Sequence, residues 1–91
     1  MRLKVYRFDP RSNDQSPFTL LITKGAIVIG YNFSMDKYDT LICIEDDSII
    51  EKEKRTFQWI MDGDIIENLE DYRYLGTSNG YRYLFEITGK D

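Results

Sequence analysis

Asp71 to Thr88 reads D-Y-R-Y-L-G-T-S-N-G-Y-R-Y-L-F-E-I-T: two runs suited to a pleated surface, split by Asn79-Gly80. An Asn-Gly pair between such runs is the strongest short-range hairpin signal, because a type I′ turn needs φ > 0 at both central residues. A two-residue loop sets Ser78 opposite Tyr81, Leu75 opposite Leu84, Tyr74 opposite Phe85 and Arg73 opposite Glu86. One face then carries Tyr72, Tyr74, Tyr83, Phe85 and Ile87; the other carries Arg73, Leu75, Thr77, Arg82, Leu84 and Glu86. A lone hairpin is marginal in water. The aromatic face is therefore expected to pack on the rest of the chain, with the arginine face in solvent.

The rest of the chain supplies strands to receive it. Arg2 to Phe8 alternates, and its interspersed Lys and Arg mark an edge strand. Asp9 to Pro17 is rich in Asp, Ser, Asn and Pro and reads as a loop, the most mobile segment. Phe18–Thr23 is a second strand, Lys24-Gly25 a tight connection and Ala26–Phe33 a third strand. In the third, Ile27, Ile29, Tyr31 and Phe33 share a face, and Gly30 marks a bulge or a close backbone approach. Ser34 to Asp39 is a polar turn. Thr40–Glu45 is apolar on both faces and therefore central, with Cys43 a core thiol.

Asp46 to Arg55 is ambiguous. Asp46-Asp47-Ser48 suits a helix cap and Glu51-Lys52-Glu53-Lys54 a helix, so a helix over 48–61 is one alternative. Phe57, Trp59 and Met61 instead alternate, which favours an acidic loop over 46–52 and a fifth strand over 53–61. Asp62-Gly63 is a turn, and 64–71 is a loop or one short helical turn. The expectation is a single domain over 1–91, mainly β or β-rich α+β: a small antiparallel barrel or sandwich of about seven strands ending in the Asn-Gly hairpin.

Charge and composition narrow the function. The net charge is −4, against sequence-independent binding to long nucleic acid, which rests on many cationic contacts to phosphate. The charge is uneven: residues 1–24 carry +3, 25–71 carry −8 and 72–91 carry +1. The single cysteine and the lack of histidine exclude an internal disulfide and His-based general-base catalysis, and argue against zinc or any other bound cofactor. Carboxylate pairs such as Asp46-Asp47 and Glu70-Asp71 are expected by chance among sixteen acidic residues. There is no signal-peptide pattern and no apolar run of the roughly 20 residues that span a membrane, so an intracellular protein is expected. No nucleophile elbow, phosphate-binding loop or dinucleotide fingerprint is present, and no enzyme activity is expected.

One constellation rises above the background. Tyr72, Tyr74, Tyr81 and Tyr83 interleave with Arg73 and Arg82, and Arg55 and Trp59 fall in the preceding strand. Aromatic faces stack bases, and Arg contacts phosphate or stacks by cation–π attraction. Arg82 and Tyr81, beside the turn, are the first candidate ligand-binding residues, with Arg55 and Trp59 behind them. Sheet edges pair readily, so self-association into a closed homo-oligomer is also expected.

Several fragments recur in one order: Lys24-Gly25-Ala26, L-I-C-I-E-D at 41–46, E-K-R-T-F at 53–57, Y-R-Y-L-G-T at 72–77 and L-F-E at 84–86. In this order the chain resembles a family of short tailed-phage proteins, each one small mostly-β domain. The family pattern has Gly-x-Gly-His after the fifth strand. Met61-Asp62-Gly63-Asp64 stands there, so only Gly63 matches and Asp64 takes the histidine position. The resemblance implies a phage accessory protein in the host cytoplasm and supplies no activity. Two functions lead: a sponge that sequesters a small anionic nucleotide signal of host immunity, or an acidic inhibitor whose 45–71 segment covers a basic face of a host protein; a purely structural phage component is a third, less favoured option.

Overall fold

The computed structural model describes residues 1–89. Seven strands form two antiparallel sheets that face each other without closing into a barrel. They are β1 (Arg2–Phe8), β2 (Phe18–Thr23), β3 (Ile27–Asn32), β4 (Asp39–Glu45), β5 (Lys52–Met61), β6 (Tyr72–Ser78) and β7 (Arg82–Ile87). One sheet runs β1-β4-β3 and the other β2-β5-β7-β6. As the sequence implies, β1 is an edge, β4 is central and 46–51 is a turn rather than a helix. The stretch before β6 holds a single 3-10 turn, Leu69–Asp71.

The interior changes character along the strands. At the end where β1 leaves and β2 enters, Phe8, Phe18, Tyr31, Phe57 and Trp59 form an aromatic cluster with ring centroids 5.7–6.1 Å apart. The middle is aliphatic, with Ile22, Val28, Leu41, Leu75, Leu84 and Cys43 buried; burial pushes the Cys43 thiol up to about 11, which leaves it a poor nucleophile. The far end is polar. Glu45 accepts hydrogen bonds from the Tyr6 hydroxyl at 2.7 Å and Arg2 Nε at 3.0 Å. Tyr6 and Thr23, followed by Arg2, hold the Glu45 carboxyl down at about 2. Because the Tyr6 hydroxyl also meets Thr23 Oγ1 at 2.9 Å, it joins β1 to β2 across the seam between the sheets.

The hairpin departs from the sequence reading in two linked ways. Asn79 and Gly80 have φ of +56° and +76°, and Tyr81 N donates to Ser78 O at 3.3 Å, so the expected turn forms. Tyr81 is nevertheless left out of the ladder, and Ser78 pairs with Arg82 rather than with Tyr81. A second irregularity at Leu75 restores the expected register, Tyr74 with Phe85 and Arg73 with Glu86, while Leu84 lies opposite Gly76 instead of Leu75. Two opposite single-residue shifts cancel.

The larger correction concerns which face is buried. Leu75, Leu84 and Glu86 point into the sandwich, while Tyr74 and Tyr83 are exposed and Tyr72, Phe85 and Ile87 half-buried on the outer side. The physical reason is pairing. Arg55 Nε meets Glu86 Oε2 at 2.5 Å from 31 residues away, so a face that reads as charged is neutralised inside. On the aromatic face the rings pack on one another, through Tyr72–Phe85, Tyr74–Phe85 and Tyr74–Tyr83 contacts at 5.4–6.4 Å. In β3 the bulge between Val28 and Gly30 also splits the expected shared face: Ile27 and Ile29 point out and Tyr31 points in.

The sheets meet most closely at β3 and β6. A Cβ on Gly76 would lie 2.7 Å from the Tyr31 carbonyl oxygen and 3.1 Å from its ring, and backbone cannot move aside as a flexible side chain can. Gly76→Ala is expected to lower stability by about 1–3 kcal/mol, the usual cost of overpacking. Chemical denaturation measures it, and an unchanged midpoint would mean that the two sheets do not abut there.

Candidate ligand-binding site

Four connections gather at the aromatic end: residues 9–17, 33–38, 62–64 and the 79–81 turn. The first is held down rather than free. Trp59 Nε1 donates to Asn13 O at 2.9 Å, and Trp59 N donates to Ser16 Oγ at 2.7 Å. Arg82 Nη1 meets Asp14 Oδ1 at 2.8 Å, and its guanidinium lies 3.9 Å from the Trp59 ring centroid. A segment that composition marks as the most mobile is thus tied to β5 and β7. The 33–38 loop is held by Asp39, which is buried and accepts from the Tyr31 hydroxyl at 2.5 Å and from Ser34 N at 3.1 Å. Burial, then the Asp39 carboxylate, raises the Tyr31 phenol well above its usual range.

Between the loops lies an open cleft of about 570 Å³, lined by Pro10, Arg11, Phe33, Met35, Lys37 and Asn79 together with Ser34 and Asp36. A second hollow of about 440 Å³ shares Ser34, Asp36 and Lys37 with it and adds Arg7, Tyr38 and Thr40. Arg7 and Lys37 sit 5.1 and 5.5 Å from the Tyr38 ring centroid. Among the described residues neither Arg7 nor Lys37 makes an ion pair, whereas Arg11 reaches Asp9 at 3.5 Å. Cations over an exposed ring, beside the apolar side chains of Phe33 and Met35 in the adjoining lining, can hold a small anion that also carries a flat ring.

The structure brings three of the four sequence candidates to this end and leaves the fourth elsewhere. Arg82, Trp59 and Tyr81 are neighbours, with Arg82 5.9 Å from the Tyr81 ring. Only Tyr81 is open, at 56% exposure. Trp59 is buried and the Arg82 side chain keeps 14% of its surface; both support the loops rather than offer a free surface. That corrects the expectation of an exposed Arg82. Arg55 lies in the interior, paired to Glu86 and Glu53 and donating to Ala26 O at 2.7 Å. Arg7, Arg11, Phe33, Lys37 and Tyr38 escaped the sequence reading because they come from two stretches far apart in the chain, 7–11 and 33–38. The one local signal is Phe33 and Lys37-Tyr38 bracketing the short Ser34-Met35-Asp36 turn.

The outer tyrosine face is a different kind of surface. Outward residues of β6 and β7 carry no charge, so it can stack a ring but not neutralise a phosphate. The acidic middle of the chain does not make one face: 46–51 lies at the polar end and 62–64 at the aromatic end. Among the described residues no group of three or more His, Cys, Asp or Glu is placed to hold a metal ion, and no helix is long and apolar enough to cross a membrane. No family model, curated protein or solved structure matches the chain.

Proposed function

We propose that this chain is a non-catalytic phage accessory protein of the host cytoplasm that binds and sequesters a small anionic nucleotide signal in the cleft at the aromatic end. The observation that carries this reading is the convergence of Arg7, Arg11 and Lys37 around Phe33, Met35 and Tyr38. The cations take the phosphate and the rings take the base. Asp36 in the same lining favours a ligand that presents a donor beside its phosphate, as a base edge does.

Calorimetric titration against cyclic di- and trinucleotides and ADP-ribose-type compounds tests it. Wild type is expected to bind at least one of them. Lys37→Ala and Arg7→Ala are each expected to weaken binding about ten- to a hundredfold, the worth of one charge-assisted phosphate contact. A wild type that binds none of the panel ends the sponge reading. Binding that survives both substitutions moves the site away from this cleft.

A second reading keeps part of the acidic inhibitor. Residues 62–70 stand exposed except for Ile66, with Ile65 at 87% and Leu69 at 65% among Asp62, Asp64, Glu67 and Glu70. Apolar anchors in an acidic loop suit a basic, grooved protein surface. A stoichiometric host protein in a pull-down, lost on Ile65→Ser/Leu69→Ser, supports that reading over the sponge.

A further inference from the structure

The outer side of the three-stranded sheet carries two rows of aliphatic side chains. Leu3, Ile44 and Ile27 lie side by side in one row, and Val5 and Ile42 in the next, where Gly30 completes the row and the bulged Ile29 stands beside it. Leu3, Val5, Ile27 and Ile29 are 46–59% exposed, and Ile42 and Ile44 are half-buried. Scattered exposed aliphatics need no explanation, but a continuous patch across three strands marks an interaction surface. No other described element packs on this side: β1 and β3 flank β4, and β3 reaches β6 along its edge.

The ends of the patch differ in charge. Beyond the Val5 row comes Arg7, beside Thr40 and Asn32. Beyond the Leu3 row the chain enters the turn with Asp46 and Asp47, both exposed; the Met1 ammonium lies 3.4 Å from Asp47 Oδ1, so Asp46 is the carboxylate left without a cationic partner among the described residues. The middle of the patch is level with the Lys4–Cys43 pair. Arg7 is three residues from that level in one direction, and Met1 and Asp46 are three residues from it in the other.

We propose that a second copy of this chain packs on this face, about a twofold axis lying in the interface and running across the strands at the Lys4–Cys43 level. That operation lays aliphatic row on aliphatic row and brings Arg7 of each copy to the Met1 level of the other, beside Asp46 just past the end of β4 and the Met1–Asp47 pair. A twofold along the strands would leave Arg7 over Asn32, so charge selects the antiparallel arrangement. The same patch serves both copies, as an isologous contact requires. Three strands about 4.8 Å apart and seven residues at about 3.3 Å each outline a surface of roughly 14 by 23 Å. Counted on both copies that footprint is about 640 Å², roughly half of the ~1,200 Å² at the low end of specific interfaces, so dimerisation is expected in the micromolar range or weaker. The aliphatic rows lie apart from the nucleotide cleft and Arg7 alone is shared with it, so Val5→Glu and Ile29→Lys test the contact without touching the cleft.

Sedimentation equilibrium of the full chain from micromolar to millimolar concentration tests the proposal, with circular dichroism confirming that each variant keeps the wild-type fold. Wild type is expected to pass from monomer to dimer over that range. Val5→Glu and Ile29→Lys, at two separate exposed positions, are expected to stay monomeric throughout. Arg7→Glu and Asp46→Lys are each expected to weaken the dimer several-fold, and the doubly reversed chain to regain most of the loss. A wild type that remains monomeric at millimolar concentration overturns the proposal and leaves the face to a different protein. Folded Val5→Glu and Ile29→Lys variants that dimerise like wild type also overturn it. A double reversal weaker than either single change overturns the antiparallel arrangement.

Discussion

Arg55→Met is expected to destabilise the domain by about 3–5 kcal/mol, the cost of stranding a buried charge by removing its partner. Glu86 is 2% exposed, its Oε2 is held by Arg55 Nε at 2.5 Å, and its Oε1 has no hydrogen-bond partner among the described residues. Burial opposes the Arg55 charge, and the hydrogen bond and field of Glu86, with help from Glu53, outweigh it and raise the guanidinium pKa. Methionine keeps most of the stem and removes the charge, leaving a carboxylate among Leu84, Phe57 and Cys43. The loss is a large share of the total stability of a small domain, about 5–15 kcal/mol. The double change Arg55→Met/Glu86→Leu is expected to recover most of it, because replacing both members of a buried pair with apolar residues is often neutral or stabilising. Urea denaturation of the two singles and the double closes the cycle. If Arg55→Met alone costs less than about 1 kcal/mol, in the range of an exposed pair, the pair is solvated and the inward assignment of the Glu86 face is wrong.

That pair also shows where the sequence stops being legible. Periodicity is a local property, and the elements that depend on it were readable: the second strand to the residue, the edge character of β1 from its Lys and Arg, the central place of β4 from its two apolar faces, and the positive-φ turn at Asn79-Gly80. Inside and outside are different, because they depend on the opposite sheet. Tyr72, Tyr74, Tyr83 and Phe85 look like core and Arg82 and Glu86 like surface until Arg55 and Asp14 are placed beside the charged pair; Arg73 stays exposed, as the sequence implies. Single-residue irregularities are equally silent. Nothing in Y-L-G says that Leu75 will be squeezed out of the ladder, although Gly76 is there because the Tyr31 carbonyl approaches within a distance no Cβ tolerates. The candidate site was half legible for the same reason. The hairpin half, Tyr81, Arg82 and the nearby Trp59, showed as an aromatic and cationic cluster in one stretch. The half that forms the open cleft arrives from 7–11 and 33–38 and has no signature until the chain is folded.

Trp59→Ala is expected to cost about 3–5 kcal/mol, the range for removing a buried indole, and to free a loop as well as open a void. Trp59 packs at 5.9 Å on Phe18 and edge-on at 5.7 Å on Tyr31, so its loss breaks the aromatic cluster that joins the two sheets. It also supports the Arg82 guanidinium at 3.9 Å and donates through Nε1 to Asn13 O. With the ring gone, Arg82 loses its platform and Asp14 a positioned partner, and the 9–17 loop keeps only its Ser16 anchor to the β5 backbone. Trp59→Phe separates the two effects. It keeps a ring in the cluster and deletes the indole N–H, so it should cost less, with a hydrogen-bond share of about 0.5–1.5 kcal/mol, while still loosening the loop. Limited trypsin digestion at Arg11, read beside urea denaturation, measures both quantities. Cleavage should quicken in Trp59→Phe by more than its loss of global stability explains, because the loop then opens without the domain unfolding. If cleavage in Trp59→Phe tracks global stability alone, the indole hydrogen bond does not hold the loop. The cleft wall formed by Pro10 and Arg11 must then be positioned by Asp9, whose carboxylate accepts from Arg11 N at 2.9 Å and whose carbonyl accepts from Asn13 Nδ2 at 2.9 Å.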